Sequence, residues 1–138
     1  MFNKNFDLES LNAFGKNTLP GHIGIEFTEL GNDFLIARMP VDSRTHQPFG
    51  ILHGGASVVL AETLGSVASM LCLENPEKQK AVGLEINANH LRGVKSGWVY
   101  GKVTAIHLGS KTHVWDIKIT NEEQKMVCIC RLTTMIIS

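Results

Sequence analysis

A chain of 138 residues has the length of one domain, with no room for a separate regulatory module. Its 43% hydrophobic content, with 4 Pro and 13 Gly, excludes a disordered or collagen-like protein. Lys and Arg (13) balance Asp and Glu (13), so the basic surplus with which nucleic-acid binders displace counterions is missing. Charged residues reach only 19%, below the usual ~25%, which points to surface covered by another copy of the chain.

In chain order, MFNKNFDLES has no apolar core before its charges, so no signal peptide is expected. Leu8, Leu11 and Phe14 stand three apart and predict a short amphipathic helix over Asp7–Phe14 with Asp7 as its cap. Ile23, Ile25 and Phe27 alternate, predicting a strand over His22–Leu30. Gly31-Asn32-Asp33 then turns the chain into a second strand, Phe34–Met39. Residues 40–53 read as a loop. Gly54–Leu73 is nearly all apolar or small, long enough to span a bilayer, but Glu62 near its centre and the strands on either side make it a helix buried in protein. Pro76 and its polar neighbours end it. Three further strands (Ala81–His90, Trp98–Leu108, Lys111–Thr120) precede the Asn121–Gln124 turn and a last strand, Lys125–Ile136. The joins are too short for parallel crossovers, so these strands predict an antiparallel meander that curls around one side of the helix. A helix apolar on nearly every face must be surrounded, and a second subunit is expected on the other side. The class is α+β, a curved antiparallel sheet wrapped around one long central helix, in a single soluble domain spanning 1–138.

The chemistry centres on Glu62, the one formally charged side chain in residues 45–73. A carboxylate there is expensive to bury unless paired or protonated, so it is either a hydrogen-bonded core acid or a functional group. Ser66, four residues on, shares its helical face and could orient a carboxylate or water, although an ordinary helix serine fits as well. His53-Gly54-Gly55 opens the helix. Unpaired N–H groups and the helix dipole favour negative charge there, as an oxyanion site for acyl transfer requires, while a plain loop-to-helix junction would also use the glycines. Glu62 lies eight residues beyond Gly54, about 12 Å along the axis, too far for one chain's acid to serve its own Gly54. Antiparallel helices from two copies would bring them together. No nucleophile elbow, Walker loop, dinucleotide fingerprint or His-Glu-x-x-His occurs. The six histidines are scattered, so no metal is expected. Val82, Leu84, Ile86 and Ala88 are predicted on one inward face that His90 continues, either as a core histidine or as part of a site with Arg92. His107–Lys111 reads as a solvated hairpin turn or, together with Arg92, a phosphate site. Cys72, Cys128 and Cys130 are an odd number without zinc-finger spacing, expected as free thiols in a reducing cytosol. Cys128 and Cys130 share a face of a strand and are not expected to reach each other.

The stretches VDSRTHQPFGILHGGASVVLAETLGSVAS, VGLEINANHLRG and HLGSKTHVWDI resemble the hotdog-fold acyl-CoA thioesterases over essentially the whole length. They are most similar to the branch that hydrolyses 1,4-dihydroxy-2-naphthoyl-CoA in menaquinone biosynthesis and to its sibling in siderophore biosynthesis. The resemblance implies a cytoplasmic thioesterase, a homotetramer built as a dimer of dimers with sites at the dimer interface, and no metal or redox cofactor. It implies Glu62 as nucleophile or general base, and the Gly54 or Gly55 N–H polarising the thioester carbonyl. Gln47 and His53 would line the same point, with Ser66 assisting from the partner's helix along with Glu62. It implies CoA contacts from Gly83, from His90, Leu91, Arg92 and Gly93, and from the turn His107, Leu108, Gly109, Ser110, Lys111 and Thr112. Lys111 stands where relatives carry Arg; it stays a phosphate cation but loses the bidentate fork. An aromatic acyl group is favoured, with Phe49, Ile51 and Val67 as pocket walls. Two rivals are an acyl-CoA hydratase or dehydratase of the same fold, which needs a His–acid pair at the β-carbon, and a non-catalytic CoA-thioester binding module, which gives Glu62 no reason for its isolation.

Overall fold

A computed structural model describes residues 1–138. Two short helices, α1 (Leu8–Phe14) and α2 (Leu19–His22), lead into the hairpin β1 (Glu26–Leu30) and β2 (Phe34–Val41). The long helix α3 (Gly54–Leu71) follows, then β3 (Lys80–His90), β4 (Gly97–Leu108), β5 (Thr112–Thr120) and β6 (Met126–Ile137). Asp7 caps α1 as expected, in a capping box with Ser10 whose two hydrogen bonds are 2.8 and 3.0 Å long. The strand expected over His22–Leu30 begins only at Glu26, and His22 instead closes the short helix Leu19–His22. Thr18 stands at its N-cap and Pro20 in its first turn, a start signal that outweighs the alternation of Ile23 and Ile25.

All strands are antiparallel in one six-stranded sheet ordered β1-β2-β4-β5-β6-β3. β4, β5 and β6 form the expected meander, but β3 does not join it beside β4. It pairs with β6 at the far edge, and residues 91–96 carry the chain back under the start of α3, tied there by Leu91 N–H to Val127 O and Leu52 N–H to Val94 O, both 2.8 Å. Sheet order follows how the curved sheet closes on α3, which sequence proximity does not encode.

α3 turns one face to the sheet. Ser57, Leu60, Ala61, Leu64, Gly65 and Ala68 recur at the three- and four-residue spacing of a helix and are buried. They meet alternate residues of the strands: Leu35, Ala37 and Met39 on β2, Val99 and Val103 on β4, Trp115, Ile117 and Ile119 on β5, and Leu132 on β6. This core accounts for the helix's apolar length without a bilayer. Each fully buried aliphatic side chain contributes about 1.5–3 kcal/mol by burial.

The inward face of β3 is not the one that simple alternation predicts. A β-bulge between Gly83 and Glu85 leaves Leu84 opposite no residue of β6 and shifts the pleat by one. Gly83 therefore faces inward before the bulge, and Ile86 and Ala88 after it; Val82 and Leu84 are 41% and 55% exposed. On β6, Cys128 and Cys130 share the inward face as expected, but their sulfurs do approach, to 3.5 Å, as two thiols. Burial, with Cys128 alongside, pushes the Cys130 thiol up to about 12. Neither is a reactive thiolate.

Candidate active site

The loop entering α3 is held at many points. Asp42 takes two hydrogen bonds from the Arg44 guanidinium, at 2.8 and 3.2 Å, and this partner holds its carboxyl below the usual range. The buried Thr45 hydroxyl donates to Pro40 O at 2.7 Å, and His53 N–H donates to Thr45 O at 2.8 Å. The His46 ring meets Lys95 O at 2.9 Å, and Gln47 N–H donates to Ile51 O at 2.8 Å. Gln47 Oε1 accepts the Phe49 N–H inside this loop, which leaves its amide NH2 as a donor without a partner in the chain. The helix start is tied at several points, as a preorganised site requires.

His53 is the N-cap of α3. Its Nδ1 accepts the Gly55 N–H at 2.7 Å, so the neutral ring carries its proton on the exposed Nε2. That bond uses Gly55 and leaves the Gly54 N–H as the donor with no partner in the chain. Of the two candidate oxyanion donors, the geometry favours Gly54. His90, at the end of β3, lies against this point: a Cβ built on Gly54 would stand 2.9 Å from its Nε2. His90 is exposed, so it is no core histidine. A cavity of about 440 Å³ brings together Ile51, Gly54, His90, Leu91, Arg92 and Gly93.

Glu62 is half-buried and makes no hydrogen bond within the chain. Gly83 lies beneath it, where any Cβ would collide with Glu62 Oε2; only glycine leaves that space to the carboxylate. On its other side opens a cavity of about 430 Å³, shared by Glu62, Ser66 and Val67 with Leu11, Phe14 and Phe27. Its lining is almost wholly apolar. Ser66 faces this cavity with Glu62 but is not hydrogen-bonded to it.

The predicted residues thus fall into three groups, the turn His107–Thr112 lying apart from the other two. Gln47, Phe49, Ile51, His53, Gly54 and Gly55 with His90–Gly93 cluster at the start of α3, whereas Glu62, Ser66, Val67 and Gly83 cluster two turns on. The two cavities share no residue, which agrees with the ~12 Å helical rise between Gly54 and Glu62. Phe49 is 89% exposed and walls nothing within one chain. Arg92 and Lys111 are not neighbours either. The turn His107–Thr112 adjoins His113, which pairs with Thr134, whereas His90 pairs with Cys128, six residues or about 20 Å away along β6. A phosphate site made by both cations of one chain is excluded by this register.

The α1 and Phe27 side of the Glu62 cavity was not foreseen, although the Leu8–Leu11–Phe14 spacing was visible. Also unforeseen is a buried polar cluster behind the site. Ser69, seven residues beyond Glu62, receives Trp115 Nε1–H at 2.6 Å and meets Thr134 Oγ1 at 2.7 Å and His113 Nδ1 at 3.0 Å. Thr134 pairs across the sheet with both Gly83 and His113, so this cluster braces the strand under the carboxylate. No three His, Cys, Asp or Glu side chains converge to hold a metal ion.

Residues 49–128 match the family described as the thioesterase superfamily. The chain is 53% identical to the 1,4-dihydroxy-2-naphthoyl-CoA hydrolase of Escherichia coli K12 over 99% of both chains. It is 48% identical to the proofreading thioesterase EntH of Cronobacter turicensis, over 99% of this chain and 98% of that one. The crystal structure of a mutant of thioesterase PA1618 from Pseudomonas aeruginosa superposes with a TM-score of 0.96 at 54% identity, covering 99% of this chain and 97% of that one. The curved sheet around one long helix is the hotdog arrangement of these thioesterases.

Proposed function

The chain belongs to the thioesterase superfamily and is a thioester hydrolase, and from that premise we propose that it cleaves an aromatic acyl-CoA to free acid and CoA at a site completed by two copies. The observation that carries the reading is Glu62: an unpaired carboxylate on an apolar helix, with glycine beneath it and an apolar cavity beside it. Glu62 either takes a proton from the water that adds to the thioester carbonyl carbon, or adds itself to form an anhydride that water then hydrolyses, freeing the acid and restoring the carboxylate. The CoA thiolate leaves, and the carbonyl oxygen's negative charge is met by the Gly54 N–H and the helix dipole. Gln47 and His53 offer further donors at the same point. An acid, oriented N–H groups and water suffice, so the reading requires no metal or redox cofactor.

The topology supports a shared site. β3 is an edge strand, hydrogen-bonded to β6 alone, with Val82 and Leu84 exposed along it. Gly83, under Glu62, and His90, against Gly54, are equally spaced about Ile86–Asn87. A twofold axis between two antiparallel β3 edges at that midpoint sets one copy's Glu62 opposite the other's Gly54. It also brings one copy's Arg92 to the end of the sheet that carries the other's His107–Thr112 turn. CoA would then lie between copies, with Lys111 and Arg92 serving its phosphates from different chains. Phe49 and Ile51 of one copy would face Val67 of the other across the acyl group. Two such dimers form the tetramer and the enzyme works in the cytoplasm, parts of the reading that rest on the family resemblance and the low charge.

The acyl-CoA hydrolysed by the Escherichia coli relative, 1,4-dihydroxy-2-naphthoyl-CoA, is the first substrate to test. A thiol-release assay across aryl and alkyl CoA thioesters, with the acid identified by mass, tests the reading. Free acid plus CoA, fastest with aryl thioesters, is the expected result. Hydrated or dehydrated thioesters, or binding without thiol release, would contradict it.

A further inference from the structure

The cavity beside Glu62 has two walls of different origin. One is α3, inside the segment 49–128 shared with the superfamily; the other is built from residues 11–27, outside it. That outer wall is held in place by its own bonds. The α1 capping box fixes the first turn, and Leu11, 1% exposed, seats the helix. The Asn12 side-chain amide then pairs with the Phe27 backbone as a strand neighbour would: Oδ1 accepts Phe27 N–H at 2.8 Å, and Nδ2 donates to Phe27 O at 3.1 Å. A seven-residue helix has too little intrinsic stability to stay put without such ties.

At the end of α1, Phe14 is 68% exposed at the edge of this cavity. Its ring covers nothing in the fold, yet it borders a space of small-molecule size, lined by apolar atoms and ending at a carboxylate. A flat, apolar acyl group delivered to Glu62 would lie against it, in the offset or edge-on geometry that aromatic pairs adopt.

We propose that α1 is the acyl-selecting wall of the enzyme: Phe14 packs on an aromatic acyl group at Glu62, and Asn12 is the positioning residue that sets the wall's distance from β1. This rests on the thioesterase reading above. The reacting groups and this added wall lie on separate stretches of chain, so substitutions in α1 change acyl preference without touching the residues that do the chemistry.

The test measures kcat/KM for benzoyl-CoA and hexanoyl-CoA on wild type, Phe14→Ala, Phe14→Tyr and Asn12→Ala. The aryl-to-alkyl ratio should fall about tenfold in Phe14→Ala, the change that one aromatic contact supplies, and recover in Phe14→Tyr. Asn12→Ala should lower the same ratio. Because Phe14 is exposed, its variants keep their fold. Equal losses on both thioesters, or an unchanged ratio, would overturn the inference while leaving the hydrolase reading intact. Absence of thiol release from every thioester by the wild type would instead overturn that reading, and the inference with it.

Discussion

Gly83→Ala places one methyl group under the proposed catalytic carboxylate and nowhere else of note. The new Cβ would collide with Glu62 Oε2, which must retreat by about 1 Å to restore ordinary contact. Glu62 is half-buried and free of hydrogen bonds, so its flexible end can swing aside at little cost to the fold. A displacement of about 1 Å from the reacting atom costs on the order of 100-fold in rate, about 2.7 kcal/mol of barrier. The assay is steady-state thiol release from an aryl-CoA, paired with a thermal melt. We expect kcat to fall about 100-fold with Tm within about 2 °C of wild type, the range of a change costing under ~0.5 kcal/mol. A kcat within threefold of wild type would refute the placement of the reacting atom at Glu62. Parallel collapse of Tm and kcat would show that Gly83 serves the bulged strand instead.

Four further expectations concern assembly, CoA and stability. Gly54→Pro removes the free N–H at the first helical position, where His53 (φ −70, ψ 130) already has the backbone a following proline needs, and its Cβ also displaces His90, so the whole Gly54 side of the site is disabled. Mixed with inactive Glu62→Ala protein, this inactive variant should regain activity through hybrid dimers holding one intact site; none after verified subunit exchange would mean that each chain holds a complete site. Lys111→Ala should raise KM for a CoA thioester more than it lowers kcat, and spare a pantetheine thioester lacking the nucleotide; equal impairment on both would make Lys111 structural. Ser69→Ala strips a shared oxygen from Trp115, His113 and Thr134, and should lower Tm by about 5–10 °C. Burial, helped by nearby His107, depresses the His113 pKa below its unfolded value. That contribution is complete above about pH 6.5 and lost as pH falls, so His113→Gln should flatten the decline in Tm from pH 7 to 5, read by circular dichroism.

The central helix, both hairpin turns and the strand count were legible because each rests on a local pattern: apolar run, alternation, or a Gly/Asn/Asp cluster. Glu62 and His53-Gly54-Gly55 were legible for the same reason, a lone charge in an apolar run and glycines at a helix start. What the pattern did not carry was register and order. The Gly83–Glu85 bulge turns Val82 and Leu84 outward and slides Gly83 under Glu62, a shift set by pairing with β6 rather than by β3's own residues. The wall supplied by α1 depends on Asn12 reaching the Phe27 backbone fifteen residues away, a tertiary contact no local period announces. Arg92 and Lys111 looked like partners because both are cations at strand ends; the sheet order places them at opposite ends of one chain.

The most direct test of the account is Glu62→Gln, which preserves shape and polarity and removes only the base or nucleophile. With the best aryl-CoA from the panel, kcat should fall by at least ~100-fold, with substrate affinity in equilibrium binding within a few-fold of wild type. Turnover near the wild-type rate in a folded Glu62→Gln protein would contradict the assignment of the chemistry to this carboxylate.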